Sequence, residues 1–126
     1  MTKWKQHPAT EEQEQAVVAQ WLEWHNVVWF HPPNEGRHKP AYRKKQRALG
    51  MKRGVPDIMV VQPPPRCPDK NGLAIELKRT KGGQVSAAQH QWLDTLKACG
   101  WVVAVCRGAD AAIELLEKYG YGGDAK

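Results

Sequence analysis

The chain has few cysteines, no long apolar run and no glycine-rich nucleotide loop, and each shortage excludes a class of protein. Cys67, Cys99 and Cys106 are an odd number with no Cys-x-x-Cys pair. That argues against a zinc ribbon or a disulfide framework and for reduced thiols in a cytosolic setting. No apolar stretch approaches the length of a membrane span, and the polar Met1–Gln13 segment lacks the hydrophobic region of a secretion signal. No GxxxxGK[ST] sequence occurs, which sets aside a P-loop nucleotide site. Acidic residues are also outnumbered, 13 against 19 Lys and Arg, for a net charge of +6. This balance permits a polyanionic partner without requiring one.

The 126 residues have room for one domain with a real core, and a composition of 41% hydrophobic and 25% charged residues is ordinary for a globular fold. The reading is a single domain over residues 1–126, with residues 1–9 as a loose leader and 121–126 as a loose tail. The stretch from Gly54 to Lys78 organises the rest. Gly54-Val55-Pro56-Asp57-Ile58-Met59-Val60-Val61 and Leu73-Ala74-Ile75-Glu76-Leu77-Lys78 are two apolar runs joined by a proline-rich loop. They read as two buried strands. Both carry charge where a strand core should be apolar.

Side chains alternate across a strand, so Glu76 and Lys78 share a face and Leu77 takes the other. Burying a carboxylate and an ammonium there costs several kcal/mol unless they pair or bind a cation. If the two strands are neighbours, Asp57 meets Glu76. Two hard oxygen ligands, the Leu77 carbonyl between them and an adjacent Lys78 suit a divalent-metal site, with Mg²⁺ or Mn²⁺ favoured over softer metals. The alternative is a Glu76–Lys78 ion pair at a strand end, with Asp57 capping a turn after Pro56.

Along the chain, Thr10 with Glu11, Glu12 and Gln13 reads as a cap and acidic first turn of a helix reaching about His25. Val27–Phe30 reads as a first strand. His31 to Arg53 is polar, with Arg37, Lys39, Arg43, Lys44, Lys45, Arg47, Lys52 and Arg53 against Glu35 alone, and Tyr42–Met51 is the candidate for a short helix within it. Such residues suit phosphate contacts. His31, Asn34 and Arg37 border the expected site, although His31 and His38 read as loop polar groups rather than ligands. Pro63-Pro64-Pro65 forbids a tight hairpin and reads as a stiff spacer, or as a partner ligand. Arg79 to Val85 is a basic, glycine-rich link into a helix capped by Ser86, running from Ala87 to about Cys99. Trp101–Cys106 reads as a buried strand and Ala109 to about Tyr119 as the last helix. The order is α-β-β-β-α-β-α, an α/β fold with a small mixed sheet flanked by helices.

Pro56-Asp57, followed nineteen residues on by Glu76-Leu77-Lys78, resembles the PD-(D/E)XK nuclease signature. Gly54-Val55-Pro56-Asp57 ahead of Glu76-Leu77-Lys78, with Gln89 downstream, resembles more narrowly the virus-type replication-repair nucleases, the VRR-Nuc group, from about Thr10 to Tyr119. The resemblance implies a restriction-endonuclease-like core and metal-assisted hydrolysis of DNA phosphodiesters. Asp57, Glu76 and Lys78 would be catalytic, with Gln89 orienting water or contacting DNA. One or two Mg²⁺ or Mn²⁺ ions would be held by Asp57, Glu76 and the Leu77 carbonyl. The resemblance also implies a helix glutamate near the metal, for which Glu11 matches best and Glu14 competes. DNA would meet Asn34, Arg37, Arg43, Lys44, Lys45, Lys52, Arg79 and Lys81. The implied setting is replication, repair or recombination in the cytoplasm of a bacterium or phage-infected host, with a homodimer acting on branched DNA such as Holliday junctions. Trp4, Trp21, Trp24 and Trp29 offer surface for such a dimer. Two other classes remain: a non-catalytic DNA-binding module on a nuclease-like fold, and an assembly protein using the Pro63–Pro65 loop.

Overall fold

The computed structural model describes residues 9–33 and 39–123. Eight elements follow in order: α1 (Glu11–Trp24), β1 (Trp29–Phe30), α2 (Pro40–Ala48), β2 (Ile58–Val60), β3 (Leu73–Lys78), α3 (Ala87–Ala98), β4 (Val102–Arg107) and α4 (Ala109–Lys118). The sheet runs β1-β2-β3-β4. The first three strands are antiparallel neighbours, and β4 lies parallel to β3 after the α3 crossover.

Local chemistry accounts for the two helix starts nearest the site. Thr10 Oγ1 accepts from the Gln13 amide at 3.1 Å while Gln13 Oε1 accepts from the Thr10 amide at 2.9 Å, a reciprocal cap. Ser86 and Gln89 repeat the arrangement at α3, at 3.1 and 2.8 Å. Alternation then sorts β3. Leu73, Ile75 and Leu77 join Val18 and Leu22 of α1 and Ala112 and Leu116 of α4 in one buried cluster. Ala74, Glu76 and Lys78 therefore take the opposite face, where α3 contributes Gln89.

The structure corrects several boundaries. A helix lies within the basic segment, but as Pro40–Ala48 rather than Tyr42–Met51, making the order α-β-α-β-β-α-β-α. Pro40 occupies its first turn, where a missing N–H costs nothing, and α2 is strongly polar and buries no side chain, so no apolar stripe marks its ends. The strand expected from Gly54 shrinks to Ile58–Val60. The strand expected at Trp101–Cys106 runs from Val102 to Arg107 on the edge of the sheet, with most of its residues only half-buried or exposed. Residues 121–123 are not a loose tail at their start: Tyr121 is 5% exposed and its hydroxyl donates to the Gln62 carbonyl at 2.8 Å. The proline loop is likewise docked, with Pro64 buried and the Arg66 amide donating to the Tyr119 carbonyl. Trp21 and Trp29 pack partly against the core, whereas Trp24 is 80% exposed. Trp4, Asn34, Arg37 and His38 lie outside the described residues.

Gly54 controls the approach to β2. Its φ is +82°, and a Cβ there would stand 2.7 Å from the Ala88 carbonyl carbon at the start of α3. Arg53, next to it, accepts from Trp92 Nε1 at 3.0 Å. Gly54→Ala combines a left-handed backbone with a collision against helix backbone, so it is expected to destabilise the fold by about 2–4 kcal/mol in urea unfolding. A loss below about 0.5 kcal/mol would show that the loop yields freely.

Candidate active site

The register Ile58↔Ile75, continued by one residue, sets Asp57 opposite Glu76. Asp57 sits just before β2 and Glu76 near the end of β3, so the sheet itself joins the two acids. Asp57 Oδ2 accepts from the Leu77 amide at 2.7 Å. Asp57 therefore bonds across the sheet rather than capping a turn after Pro56. A residue's N–H and C=O leave a strand on the same side, so the Leu77 carbonyl also points toward Asp57. Leu77 lines a cavity of about 290 Å³ with Glu11, Glu12, Gln15, His31 and Asp57.

Glu76 is 2% exposed. Its Oε2 accepts from Gln89 Nε2 at 3.0 Å and lies 3.8 Å from Lys78 Nζ. Its Oε1 is buried with no hydrogen-bond partner. Burial, then the charge and hydrogen bonding of Asp57, push the Glu76 carboxyl up to about 9; Lys78 acts in the opposite sense, and Glu11 adds to the rise. Glu76 and Lys78 share a face and a close contact, as strand alternation requires. Both the ion pair and the neighbouring Asp57 are present. The ion pair alone leaves one carboxylate oxygen unanswered.

Gln89 closes the α3 cap with its Oε1 and holds Glu76 with its Nε2. Its amide thus links the helix start to the acid. Packing places Glu11 and Glu14 differently. Glu14 Oε1 accepts from the Ala109 amide at 2.9 Å, capping α4, whose N-cap is Gly108 and carries no side chain. Glu11 instead lines the cavity, and a Cβ on Gly83 would stand 3.4 Å from Glu11 Oε2 and 3.8 Å from Lys78 Cδ.

Among the described residues no three His, Cys, Asp or Glu side chains close into a metal cage. Glu11 thus stands across the cavity without completing a three-carboxylate cluster. The donors present nevertheless fit a hard divalent cation: Asp57, the orphaned Glu76 Oε1 and the Leu77 carbonyl are all oxygen. A partly protein-bound, partly hydrated ion is how Mg²⁺ is usually held.

The basic residues fall into two places. Lys44 and Lys45 are exposed on α2, with Arg43 half-buried there and Lys52 exposed just beyond it. Arg79 and Lys81 are exposed in the loop after Lys78. Sequence reasoning missed Arg107, which shapes that loop: Nη1 donates to the Gly82 carbonyl at 2.6 Å and the Arg79 carbonyl at 3.4 Å, and Nη2 to the Gly83 carbonyl at 2.9 Å. No local signal marks it, since Arg107 only meets residues 79–83 because β4 lies beside β3. Elsewhere, no helix among the described residues is long and apolar enough to cross a membrane.

Comparisons with known proteins bear on the family and the fold. No curated protein matches the chain. A solved structure described as a "VRR_NUC domain protein" shares the fold, with a TM-score of 0.76, 24% sequence identity, and coverage of 94% of this chain and 93% of that one. The family model of the VRR-NUC domain matches residues 9–110, which include Asp57, Glu76, Lys78 and Gln89. With that match across most of its length, the chain belongs to the VRR-NUC domain family, a family of nuclease domains.

Proposed function

We propose that this protein is a divalent-metal-dependent DNA endonuclease that hydrolyses phosphodiester bonds at the Asp57–Glu76–Lys78 site. The observation that carries the reading is the pairing of two acids: Glu76 is buried and set against Asp57, and burial and Asp57 together push its carboxyl up to about 9. A carboxylate placed so is costly in a purely structural role and suited to a cation. Asp57, Glu76 and the Leu77 carbonyl would hold Mg²⁺ or Mn²⁺, with Glu11 reaching it directly or through water. Such an ion, when bound, acidifies water and stabilises negative charge on phosphate oxygens.

The chain's own residues do the rest. Gln89 keeps Glu76 in place, and Asp57 is aimed by the Leu77 amide. Lys78, 3.8 Å from Glu76, brings positive charge to where the attacked phosphate gathers negative charge. Water oxygen forms the new bond to phosphorus as the bond to the ester oxygen breaks, and the proton that water gives up is balanced by one taken up by the leaving oxygen, producing one phosphate end and one hydroxyl end. Lys44, Lys45, Lys52, Arg79 and Lys81 supply phosphate contacts that fix the duplex without reading its sequence.

The substrate we favour is branched DNA, cut by a homodimer in replication, repair or recombination within a bacterial or phage-infected cytoplasm. One site per chain supports pairing of two copies for paired incisions. The exposed Trp24 supports a protein interface, and the free Cys67, Cys99 and Cys106 suit a reducing compartment. Labelled four-way junction, flap, linear duplex and single strand, each with Mg²⁺, Mn²⁺ or EDTA, test this. Junction cutting that requires metal is expected, with symmetric paired nicks. A folded protein that shifts the junction and never cuts it would instead be a DNA-binding module.

A further inference from the structure

His31 follows β1 and lines the cavity that holds Asp57. Its Nδ1 is 2.6 Å from the main-chain carbonyl of Asp57. A carbonyl oxygen only accepts, so Nδ1 carries the hydrogen of this bond. In the neutral ring the other nitrogen, Nε2, then bears a lone pair and no hydrogen. This is the less common tautomer of a free imidazole, selected here by the Asp57 carbonyl.

The neighbours define what that lone pair adds. Asp57 and the Leu77 carbonyl present oxygens suited to a cation, and Lys78, as an ammonium, can only donate. Glu11 and Glu12 accept hydrogen bonds, but like His31 they are exposed, and they are many-rotamer side chains in the first turn of α1. His31 is different: its ring has two torsions and one edge already tied to the residue that carries the Asp57 carboxylate. It offers a pre-oriented ring nitrogen within the same cavity. Preorganised acceptors and donors around reacting atoms account for large parts of enzymatic rate.

Resting on the hydrolytic reading above, we infer that His31 is a further catalytic residue, whose Nε2 accepts a hydrogen bond from the attacking water and orients its free lone pair toward the phosphorus. The role is orientation, with no proton changing owner. The sequence places His31 at the border of the site only as a loop polar group; its contact with Asp57 comes from pairing β1 with β2.

Asn and Gln separate the two nitrogens. The amide nitrogen of His31→Asn replaces Nδ1 and keeps the tie to the Asp57 carbonyl, but has nothing at Nε2. The amide of His31→Gln reaches the Nε2 position, where its oxygen can accept. Single-turnover cleavage by wild type, His31→Asn, His31→Gln and His31→Ala would be measured beside DNA affinity in EDTA and melting temperature. The Asn and Ala variants are expected to cut about 10²-fold more slowly, with unchanged affinity and melting temperature, while Gln recovers most of the rate. Independently of activity, ¹⁵N spectra of the histidine-labelled, metal-free protein at pH 8 should show His31 protonated on Nδ1 and bare on Nε2. An Asn variant as fast as wild type, or a ring protonated on Nε2, overturns the inference and reduces His31 to a tether or less. Absence of cutting by the wild type overturns the nuclease reading itself, and the His31 role with it.

Discussion

Lys78→Met is expected to lower DNA cleavage by about 10³-fold or more while leaving the fold and DNA affinity close to wild type. Lys78 is 7% exposed, so methionine fills the same channel with a similar shape and removes only the ammonium. The charge lost is the one nearest Glu76, 3.8 Å from its Oε2. Its partner is not stranded as an obligatory buried anion, because the Glu76 carboxyl already retains its proton readily. Cation binding loses a repulsive neighbour and should persist. Single-turnover cleavage, with DNA binding measured in EDTA, separates the two effects. A Lys78→Met rate within tenfold of wild type would remove Lys78 from the chemistry.

Glu76→Gln is expected to abolish metal-dependent cleavage and, at the same time, to stabilise the metal-free protein at alkaline pH. The sign follows from the direction of the shift. In the unfolded chain Glu76 gives up its proton near 4.5, whereas in the folded protein it holds it up to about 9. Between those values the folded state binds more protons than the unfolded one, so stability falls as pH rises through that window. Below about 4.5 both states are protonated and nothing is lost. An amide is neutral throughout, so the variant's advantage should be absent at pH 4, grow toward pH 9 and amount to about 1–3 kcal/mol. That corresponds to several degrees in melting temperature for a domain of this size. Millimolar Mg²⁺ or Mn²⁺ should raise the wild-type melting temperature and leave the variant's unchanged. A variant that is no more stable than wild type at pH 9, yet still stabilised by metal, would place the cation elsewhere.

Several features of the site are written locally. The caps at Thr10 and Ser86 are read correctly because each depends on a partner three residues away. The pairing of Asp57 with Glu76 is also legible, since both sit at the ends of adjacent apolar runs that can form neighbouring antiparallel strands. Helix α2 was placed only approximately. It buries no side chain and is strongly polar, so no apolar stripe of the kind that packs α1 and α4 fixes its ends, and its start is set by Pro40 instead.

The remaining decisions depended on elements far apart in the chain. Helical spacing brings both Glu11 and Glu14 toward one end of α1. It took the Ala109 amide of α4 to engage Glu14 and leave Glu11 at the cavity. Gln89 could be placed on α3, yet its bond to Glu76 required α3 to cross the face of β3. His31 met Asp57, and Arg107 met the loop of residues 79–83, through strand pairing alone. The sequence by itself determined which groups carry charge into the sheet, because burying an unpaired carboxylate or ammonium is too costly to be incidental. Tertiary structure decided which of their neighbours would orient them, because a hydrogen bond between distant residues is settled by packing and not by local preference.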